Sequence, residues 1–496
     1  MSWAEVYPWR APDRAGPVVR QIYGQVRGAI QAGALGAGAR LPSSRDLAGR
    51  LGVARASVVS AYEQLVAEGY VETRPGAGAF VAADLSGVQA APASPPPSPA
   101  APAPELPERA AEVVSESPAP PLPGDAPFNT GRTLMDPRAL AAWGRTSRRA
   151  LRRLGPEHFG YAEPAGFPDL RAAIADYLRA ARGVSCEPSQ VIVTTGAQQA
   201  IDIAARVLIA PGAPVWIEDP AYPTTARALT AAGAALKAIP VDAEGLVVAQ
   251  GVARAGDARA AYVTASHQYP LGVTLSMPRR LELLAWARAA GAWVIEDDYA
   301  SEFRYAGPPL AALQGLDGGQ RVLYVGTLNK AIFPGLRLGY LVAPPALTPA
   351  LLRARQLLDR QPPSLTQAIV LEFMRGGDFA AHIRRRRLAY RAQRDALAEA
   401  LREHCGAWLE PDPPEQGMHM IAYLKAGIGD LAAEAAAAGA GVIARAISPL
   451  YLEAPSRQGL MLGFSGFPAS AMGPAARKLA GALWAIRQPG GRTGRQ

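Results

Sequence analysis

Cysteine and histidine are both scarce in this sequence of 496 residues. The chain has two cysteines, Cys186 and Cys405, and five histidines. Two cysteines do not amount to a disulfide framework, which fits a reducing compartment, and we expect a cytoplasmic protein. The histidines are scattered and do not cluster with cysteine or carboxylate side chains at ligand spacing, so we expect no metal site.

Long apolar runs are also missing from the sequence. The first ten residues, MSWAEVYPWR, lack the basic and apolar regions of a secretory signal, and no apolar run approaches the length of a membrane span. We therefore expect neither export nor a membrane partner. The net charge of +9 is compatible with a nucleic-acid partner, but a solvated, arginine-rich surface would explain it equally well.

Composition divides the chain into three zones. Residues 1–83 contain periodic helical patterns, and residues 84–126 are dominated by Ala, Pro and Ser. The middle composition cannot bury enough apolar surface to fold and favours extended chain, so it predicts a flexible interdomain linker. In residues 127–490, strand-like apolar runs alternate with amphipathic helical patterns, which indicates an α/β domain with a mainly parallel sheet.

The first zone contains a succession of short helical patterns. Apolar residues recur every four positions from Val18 to Ile30 and predict a first helix. Ser43 has the chemistry of an N-cap for the next helix, which ends at Gly52, and a further helix is predicted over 55–68. Two short helices joined at a glycine indicate a helix-turn-helix, whose second helix can enter the DNA major groove. The alternative is a small helical module that docks another protein.

A predicted hairpin follows the second helix. YVETRPGAGAFVA has the pattern of a strand, a glycine-rich turn and a second strand, and such a hairpin would form a wing. Arginine and serine side chains at outward positions of these elements are the candidate DNA contacts. They are Arg45, Arg55, Ser57, Ser60 and Arg74.

In the large zone, two segments carry the side chains with the clearest chemistry. YVGTLNKAIFPGLRLGYLV presents Lys330 after a strand, with Arg337 seven residues later. A lysine amine can form a Schiff base with an aldehyde, and an arginine can clamp a phosphate. AWVIEDDYASEF is a strand that ends in acids, where Asp297 could keep a pyridinium nitrogen protonated and Tyr299 could donate to a ring oxygen. Alone, the Lys330–Arg337 pair could be two surface residues, and the acids around Asp297 could be a helix N-cap cluster.

Three further segments have the pattern of a strand followed by a functional turn. VIVTTGAQQAIDIAARVL places the free N–H groups of Gly196, Ala197 and Gln198 at the start of a helix, which suits a phosphate. VWIEDPAYPTTARAL holds Tyr222 between two prolines, where its ring could stack on a cofactor ring. VTASHQYPLGVTLS carries His267 in a loop bounded by proline and glycine.

These segments resemble two known families. LPSSRDLAGRLGVARASVVSAYEQLVAEGYVETRPGAGAFV resembles the winged helix of the GntR family of bacterial regulators, apart from Ala56, where the family often has a polar residue. The five segments of the large zone resemble the motif series of the fold-type I pyridoxal-phosphate enzymes, the aspartate aminotransferase superfamily. GAQQA, EDPAYP, SHQYP, IEDDYASEFRY and RLGYLV are most similar to the MocR-type regulators, which carry a GntR winged helix on an aminotransferase-like domain.

The resemblance implies a multidomain protein. An α+β winged helix-turn-helix domain would occupy residues 1–83, followed by the linker and an α/β fold-type I aminotransferase-like domain over 127–490. That domain would have a mainly parallel sheet and a smaller C-terminal α+β subdomain over roughly 385–490. The cofactor would be pyridoxal 5′-phosphate, and the partners would be double-stranded operator DNA and an amine or amino-acid effector.

The resemblance also implies a role for each matching residue. Lys330 would form the internal aldimine, Asp297 would pair with the pyridine nitrogen, Tyr299 would meet the ring hydroxyl and Tyr222 would stack on the ring. Tyr161 matches a segment that reaches into the neighbouring subunit's site, which implies a homodimer. The residues expected around the phosphate are Arg337, Thr327, Asn329, Gly196, Ala197 and Gln198.

The sequence departs from the family at two informative positions. Asn329 stands before the lysine, where a phosphate-binding serine is usual, so the phosphate site changes. In LMLGFSGFP, Ser465 and Gly466 occupy a stretch where some members carry an arginine for a ligand carboxylate, so a carboxylate in the usual pose is disfavoured. GMHM, with His419, matches a strand of the small subdomain and is interpreted as architecture.

Three functions therefore remain open, one of which is a DNA-binding protein whose large domain only dimerises and has lost the cofactor. A transcription regulator would sense pyridoxal phosphate or an amine effector in the large domain and change its affinity for DNA. A working aminotransferase with an appended DNA-binding domain is the alternative, but the departures predict little or no steady transaminase turnover. The basic run IRRRRLAYRAQR at 383–394 is interpreted as a solvated helix face or a patch near DNA or the dimer seam.

Overall fold

The structure is a computed structural model of the chain. It describes residues 7–13, 16–84, 126–133, 135–307, 310–425 and 427–487. The chain divides into two compact units, residues 1–106 and 107–496. Apart from its two end residues, the predicted linker 84–126 lies outside the described residues, so the linker and the domain limits stay predictions.

The first unit contains a helical trio and a hairpin. Its elements are α1 (Val18–Gln31), α2 (Ser44–Leu51), α3 (Arg55–Ala67), β1 (Val71–Arg74) and β2 (Gly78–Val81).

The local signals in the first unit act as the sequence predicts. Ile22, Val26 and Ile30 are buried on one face of α1. The Ser43 hydroxyl caps α2 by accepting a hydrogen bond from the Asp46 backbone N–H at 3.1 Å. Helix α2 ends at a glycine with φ of 66°, a left-handed conformation that favours a residue without Cβ.

The second unit is built on an eight-stranded sheet. Its strands are β3 (Val191–Thr194), β4 (Pro214–Asp219), β5 (Ala235–Asp242), β6 (Gly245–Leu246), β7 (Ala260–Val263), β8 (Trp293–Asp298), β9 (Val322–Thr327) and β10 (Gly339–Val342). Their spatial order is β3-β10-β9-β8-β7-β4-β5-β6. Strands β5, β4, β7, β8 and β9 run parallel, whereas β10 is antiparallel to both neighbours and β6 is antiparallel to β5. The predicted mainly parallel sheet is confirmed.

Helices connect and flank these strands. They are α4 (Pro137–Leu151), α5 (Pro168–Arg182), α6 (Ala197–Leu208), α7 (Pro223–Ala231), α8 (Val248–Ala255), α9 (Met277–Ala290), α10 (Leu313–Asp317), α11 (Leu328–Ala331), α12 (Thr348–Asp359) and α13 (Ser364–Arg375). Short 3₁₀ turns lie at Pro156–His158, Pro188–Gln190 and Pro334–Leu336.

The C-terminal part forms a smaller α+β layer, as predicted. Its elements are α14 (Asp378–Cys405), β11 (Leu409–Asp412), β12 (His419–Leu424), α15 (Asp430–Gly439), β13 (Arg445–Ala446), β14 (Gly459–Gly463) and α16 (Met472–Arg487), with 3₁₀ turns at Ser448–Leu450 and Ala469–Ala471. The strands form an antiparallel sheet in the order β11-β12-β14-β13.

The parallel sheet sets the position of the functional side chains. Strands β4, β8 and β9 end at Asp219, Asp298 and Thr327, and in parallel sheets the loops beyond the carboxyl ends of the strands form the ligand site. The two cysteines are buried and free. Within the described ranges, no helix is long and apolar enough to cross a membrane.

Candidate functional site

A cavity of about 330 Å³ opens at this edge of the sheet. It collects most of the residues that the sequence assigns to the cofactor, although they come from separate segments of the chain. The predicted residues that line it are Ala197, Gln198, Tyr222, Asp297, Tyr299, Thr327, Asn329, Lys330 and Arg337.

Lys330 lies in the short helix α11, directly after β9. The Thr327 hydroxyl caps this helix by accepting a hydrogen bond from the Asn329 backbone N–H at 3.2 Å. Burial lowers the pKa of the Lys330 amine. A lower pKa raises the fraction of uncharged amine, which is the form that attacks a carbonyl carbon.

The two neighbouring aspartates at the end of β8 have different environments. Asp298 is ion-paired with Arg182 at 2.8 Å and accepts a hydrogen bond from the Tyr324 hydroxyl at 2.6 Å. Asp297 accepts a hydrogen bond from the Tyr262 hydroxyl at 2.7 Å through Oδ2. Because successive strand residues point to opposite faces, only Asp297 lines the cavity.

Two buried polar atoms in the cavity wall lack a partner among the described residues, and they are Asp297 Oδ1 and the Tyr299 hydroxyl. Burial raises the pKa of the Asp297 carboxyl to about 6, and it raises the pKa of Tyr299 well above its usual value of 10. Buried polar groups are normally hydrogen-bonded. The cavity therefore suits a ligand that donates a hydrogen bond to the Asp297 carboxylate and forms another with the Tyr299 hydroxyl. A pyridinium nitrogen and the adjacent ring oxygen have that chemistry.

Hydrogen-bond donors converge around Gly196, next to the cavity-lining residues Ala197 and Gln198. This residue precedes α6 with φ of 122°, and a Cβ added to it would lie 2.9 Å from Asn329 Nδ2 and 3.7 Å from Arg337 Nη2. Asn329 Oδ1 accepts a hydrogen bond from the Leu338 backbone N–H at 2.8 Å, which leaves the amide Nδ2 to face Gly196. An amide, a guanidinium and a helix N-terminus therefore surround one space suited to a phosphate.

The two other predicted aromatic contacts differ in position. Tyr222 lines the cavity and packs edge-to-face on Tyr269 at 5.1 Å. Tyr161 is 79% exposed, lies under the Arg360 guanidinium at 3.7 Å and does not line the cavity. Tyr161 is thus free to contact another subunit, and its predicted role stays a prediction.

Several residues of the site escape reasoning from the sequence. Tyr262 bonds Asp297 from the middle of an apolar strand, and Thr130 and Gly131 line the cavity from the segment after the predicted linker. His419 also lines it, although the sequence suggests only architecture. Its Nε2 donates to the Pro270 carbonyl at 2.8 Å, and burial lowers its pKa to about 4, so it stays uncharged.

An arginine from an unexpected segment lies beside Ser465 and Gly466. A Cβ on Gly466 would come within 2.5 Å of the Arg132 side chain, and the Ser465 hydroxyl donates to the Arg132 carbonyl at 2.8 Å. The Arg132 guanidinium lies over the Phe467 ring at 4.9 Å. The stretch without its own arginine is therefore packed against one from elsewhere in the chain.

The candidate DNA contacts lie at the surface of the first unit. Arg45, Arg55, Ser60 and Arg74 are exposed, whereas Ser57 is half-buried and points outward less than the helical pattern predicts. Arg55 donates to the Ser44 hydroxyl at 3.1 Å, which links α3 to the start of α2. Arg74 is ion-paired with Glu72 at 2.6 Å, so its charge is partly neutralised within the hairpin.

Comparison with known proteins agrees with both parts of the chain. The gntR family of bacterial regulatory proteins matches residues 18–81, and the family of class I and II aminotransferases matches residues 128–457. The probable rhizopine catabolism regulatory protein MocR of Rhizobium meliloti is 36% identical over 474 residues, covering 96% of this chain and 95% of that protein. The pyridoxine biosynthesis transcriptional regulator PdxR of Corynebacterium glutamicum is 34% identical, covering 83% and 84%.

A solved structure matches the large unit. It is LysN, the α-aminoadipate aminotransferase of Thermus thermophilus, complexed with N-(5′-phosphopyridoxyl)-L-leucine. The TM-score is 0.67 at 26% identity, and the match covers 73% of this chain and 93% of that one. The fold of the large unit is therefore that of the pyridoxal-phosphate-dependent aminotransferases.

Proposed function

The chain belongs to the MocR-type GntR transcription regulators, and on that premise we propose that its large domain is a sensor. It would bind pyridoxal 5′-phosphate, or an amine or amino-acid effector, and so change the affinity of the winged helix for DNA. The observation that carries the sensing part is the cavity around Lys330. Its wall contains the unpartnered Asp297 and Tyr299 atoms together with the hydrogen-bond donors of Asn329 and Arg337, which also surround Gly196.

The residues of the cavity fit pyridoxal phosphate group by group. When bound, the cofactor would supply an aldehyde for an amine and an electron-withdrawing ring. Lys330 would anchor it, Asp297 would hold a proton at the ring nitrogen and Tyr299 would bond the ring oxygen. The phosphate would be held by Gly196, Ala197, Gln198, Thr327, Asn329 and Arg337. LysN, with its phosphopyridoxyl ligand, supports this class of cofactor.

A homodimer is part of the proposal. Tyr161 is exposed and lies outside the cavity of its own chain, as expected of a residue that would complete the partner's site. Two winged helices in a symmetric dimer would also match an operator with two half-sites, whose spacing reports the geometry of the dimer.

The test is DNA binding to the regions upstream of this gene and its neighbours, with and without pyridoxal phosphate and candidate amines. We expect the cofactor to change the DNA dissociation constant by about 5- to 150-fold, the usual range of coupling between two sites. Lys330→Ala removes the covalent anchor and should abolish most of this response, and the exposed Lys478→Ala should leave it intact. A wild-type protein that binds none of these regions would contradict the proposal.

A working aminotransferase is the second candidate, because Lys330, Asp297 and Tyr299 all line the cavity. The stretch at Ser465 and Gly466 has no arginine of its own, which argues against a carboxylate in the usual pose, although the Arg132 side chain packs against Gly466. Steady turnover of an amino donor and a keto acceptor at about 1–1000 per second would reverse the ranking, since those rates are ordinary for enzymes.

A further inference from the structure

A row of guanidinium groups, which we call the α4 arginine row, covers the outer face of the C-terminal half of α4 and the turn that follows it in the large unit. Five arginines, and no other residue type among the described positions, line a surface concavity of about 370 Å³. They are Arg145, Arg148, Arg149, Arg152 and Arg153. The row lies outside the cofactor cavity and has no part in the proposed sensing.

The opposite face of α4 fixes the helix in the fold. Ala142, Thr146 and Ala150 are buried there, and the Trp143 ring packs edge-to-face on Phe333 and Phe373 at 5.1 and 5.4 Å. Because the inner face is anchored, residues at positions i, i+3 and i+7 on the outer face are held in one direction. Arg145, Arg148 and Arg152 have this spacing and are exposed.

The fold neutralises only part of this charge. Glu372 pairs with Arg149 at 2.7 Å and also with Arg153. Arg145, Arg148 and Arg152 form no ion pair within the part of the chain that the structure describes. Like charges at this helical spacing repel one another, so the row is unfavourable until an anion covers it.

The basic run of α14 behaves differently. Arg386 is buried and ion-paired with Asp136 at 2.8 Å, Arg387 donates to the Glu302 carbonyl, and Arg394 donates to the Pro414 carbonyl. Half of that run is therefore bound into the fold, so it is not simply a solvated face. In the α4 arginine row, Arg145, Arg148 and Arg152 are exposed, form no ion pair among the described residues and lie together around one concavity.

We propose that the α4 arginine row is a second DNA contact, which binds the phosphate backbone outside the winged helix. A guanidinium fork matches a phosphate, and the Arg145–Arg152 row spans about 10 Å, close to three phosphate-to-phosphate intervals of one strand along the DNA axis. The contact would add affinity and fix the path of the DNA without reading its sequence. The inference rests on the proposed DNA-binding function.

The test measures how DNA affinity depends on salt. The full-length protein is titrated onto a fragment from upstream of its own gene and onto a random-sequence fragment of equal length. The logarithm of the association constant falls with the logarithm of salt concentration by about 0.9 for each phosphate contacted. The variant R145Q/R148Q/R152Q should therefore show a slope shallower by about 2 to 3 on both fragments.

A matched control removes the same charge elsewhere. R384Q/R391Q/R402Q changes three exposed arginines of α14 and should leave the slope unchanged. An equal change in both variants would show an effect of net charge alone and would overturn the proposal. An unchanged slope in the α4 variant, in a protein that still binds DNA, would overturn it as well.

The remaining outcomes separate this inference from the proposed function. A wild-type protein that binds neither fragment fails both. Sedimentation equilibrium without DNA tests a second copy of the chain as the occupant of the row. If the α4 variant loses a dimer that the wild type forms, the row is a subunit interface and the proposal of a DNA contact is wrong.

Discussion

Replacing Asp297 by Asn should stabilise the cofactor-free protein while weakening its binding of pyridoxal phosphate. The carboxyl has a pKa of about 6 in the folded protein, against an ordinary value of 3.8. At 1.36 kcal/mol per pH unit, this difference corresponds to a cost of about 3 kcal/mol for keeping the carboxylate charged in its buried site. An Asn side chain has nearly the same shape and carries no charge.

The pH dependence gives the expected sign. A carboxyl whose pKa is raised by folding costs nothing below about pH 4, and the cost grows until pH reaches its folded pKa near 6. The advantage of Asp297→Asn in the empty protein should therefore be largest above pH 6, about half as large at pH 5, and absent below pH 4. At pH 8 we expect an increase in melting temperature on the order of 5 °C.

Cofactor binding should change in the opposite direction. An amide cannot hold a proton at the ring nitrogen as a carboxylate does, and the loss of one charge-assisted hydrogen bond is about 1.5–3 kcal/mol, or about 10- to 150-fold in affinity. Titration with pyridoxal phosphate, followed by absorbance, measures this loss.

The neighbouring residue provides a matched control. Asp298→Asn leaves the buried Arg182 without its carboxylate partner, so it should lower the melting temperature where Asp297→Asn raises it. If Asp297→Asn destabilises the empty protein at pH 8, or binds pyridoxal phosphate as tightly as the wild type, our assignment of Asp297 is wrong.

Two further substitutions test the same cavity from other sides. Gly196→Ala places a Cβ 2.9 Å from Asn329 Nδ2 at a φ of 122°, so the affinity for the cofactor should fall about tenfold or more. In the control variant Gly481→Ala, the new Cβ meets no atom within 4 Å and the affinity should not change. Equal cofactor affinities in the two variants would contradict the phosphate site. Tyr262→Phe removes the hydroxyl whose hydrogen bond lowers the pKa of Asp297. Cofactor binding should therefore begin to weaken at a higher pH as the solution is acidified. An unchanged pH profile of cofactor affinity between pH 5 and 8 would show that the Tyr262–Asp297 hydrogen bond is unimportant.

Local patterns in the sequence were sufficient where a short segment determines its own structure. Ser43 caps α2 and glycine ends it, because both effects depend on neighbours within a few residues. The strand that carries Asp297 was predictable for the same reason. The order of strands in the large sheet was not, since β10 pairs with β3 across a long stretch of chain.

The different environments of Asp297 and Asp298 at the end of β8 show why the details of the site could not be predicted from local patterns. Alternation along a strand places Asp297 and Asp298 on opposite faces, but it does not say which face carries the cavity. The partners of the two side chains determine which aspartate faces the cavity. Arg182 at the end of α5 forms an ion pair with Asp298. Tyr262 on β7 bonds one oxygen of Asp297 and leaves the other without a partner. Both partners are distant in sequence.

Charge density along the chain is a similarly incomplete guide. The run at 383–394 has six arginines in twelve residues, yet Arg386, Arg387 and Arg394 are bonded within the fold. The arginines of α4 are spread over helical spacing and stand out only once the opposite face is buried. Which charges remain for a partner depends on which carboxylates and carbonyls the fold brings to them.

The energetics of the cavity bear on sensing as much as on catalysis. An empty cavity that holds the buried Asp297 carboxylate carries a cost of about 3 kcal/mol at neutral pH. A ligand that neutralises this charge would recover a free energy comparable to the 1–3 kcal/mol that couples two sites. The residues that an aminotransferase needs for its chemistry could therefore also serve a sensor, provided that a second state of the protein binds the ligand differently. A sensor differs from an enzyme in that ligand binding changes the affinity for DNA. Measuring DNA binding as a function of cofactor and salt concentration tests this coupling directly.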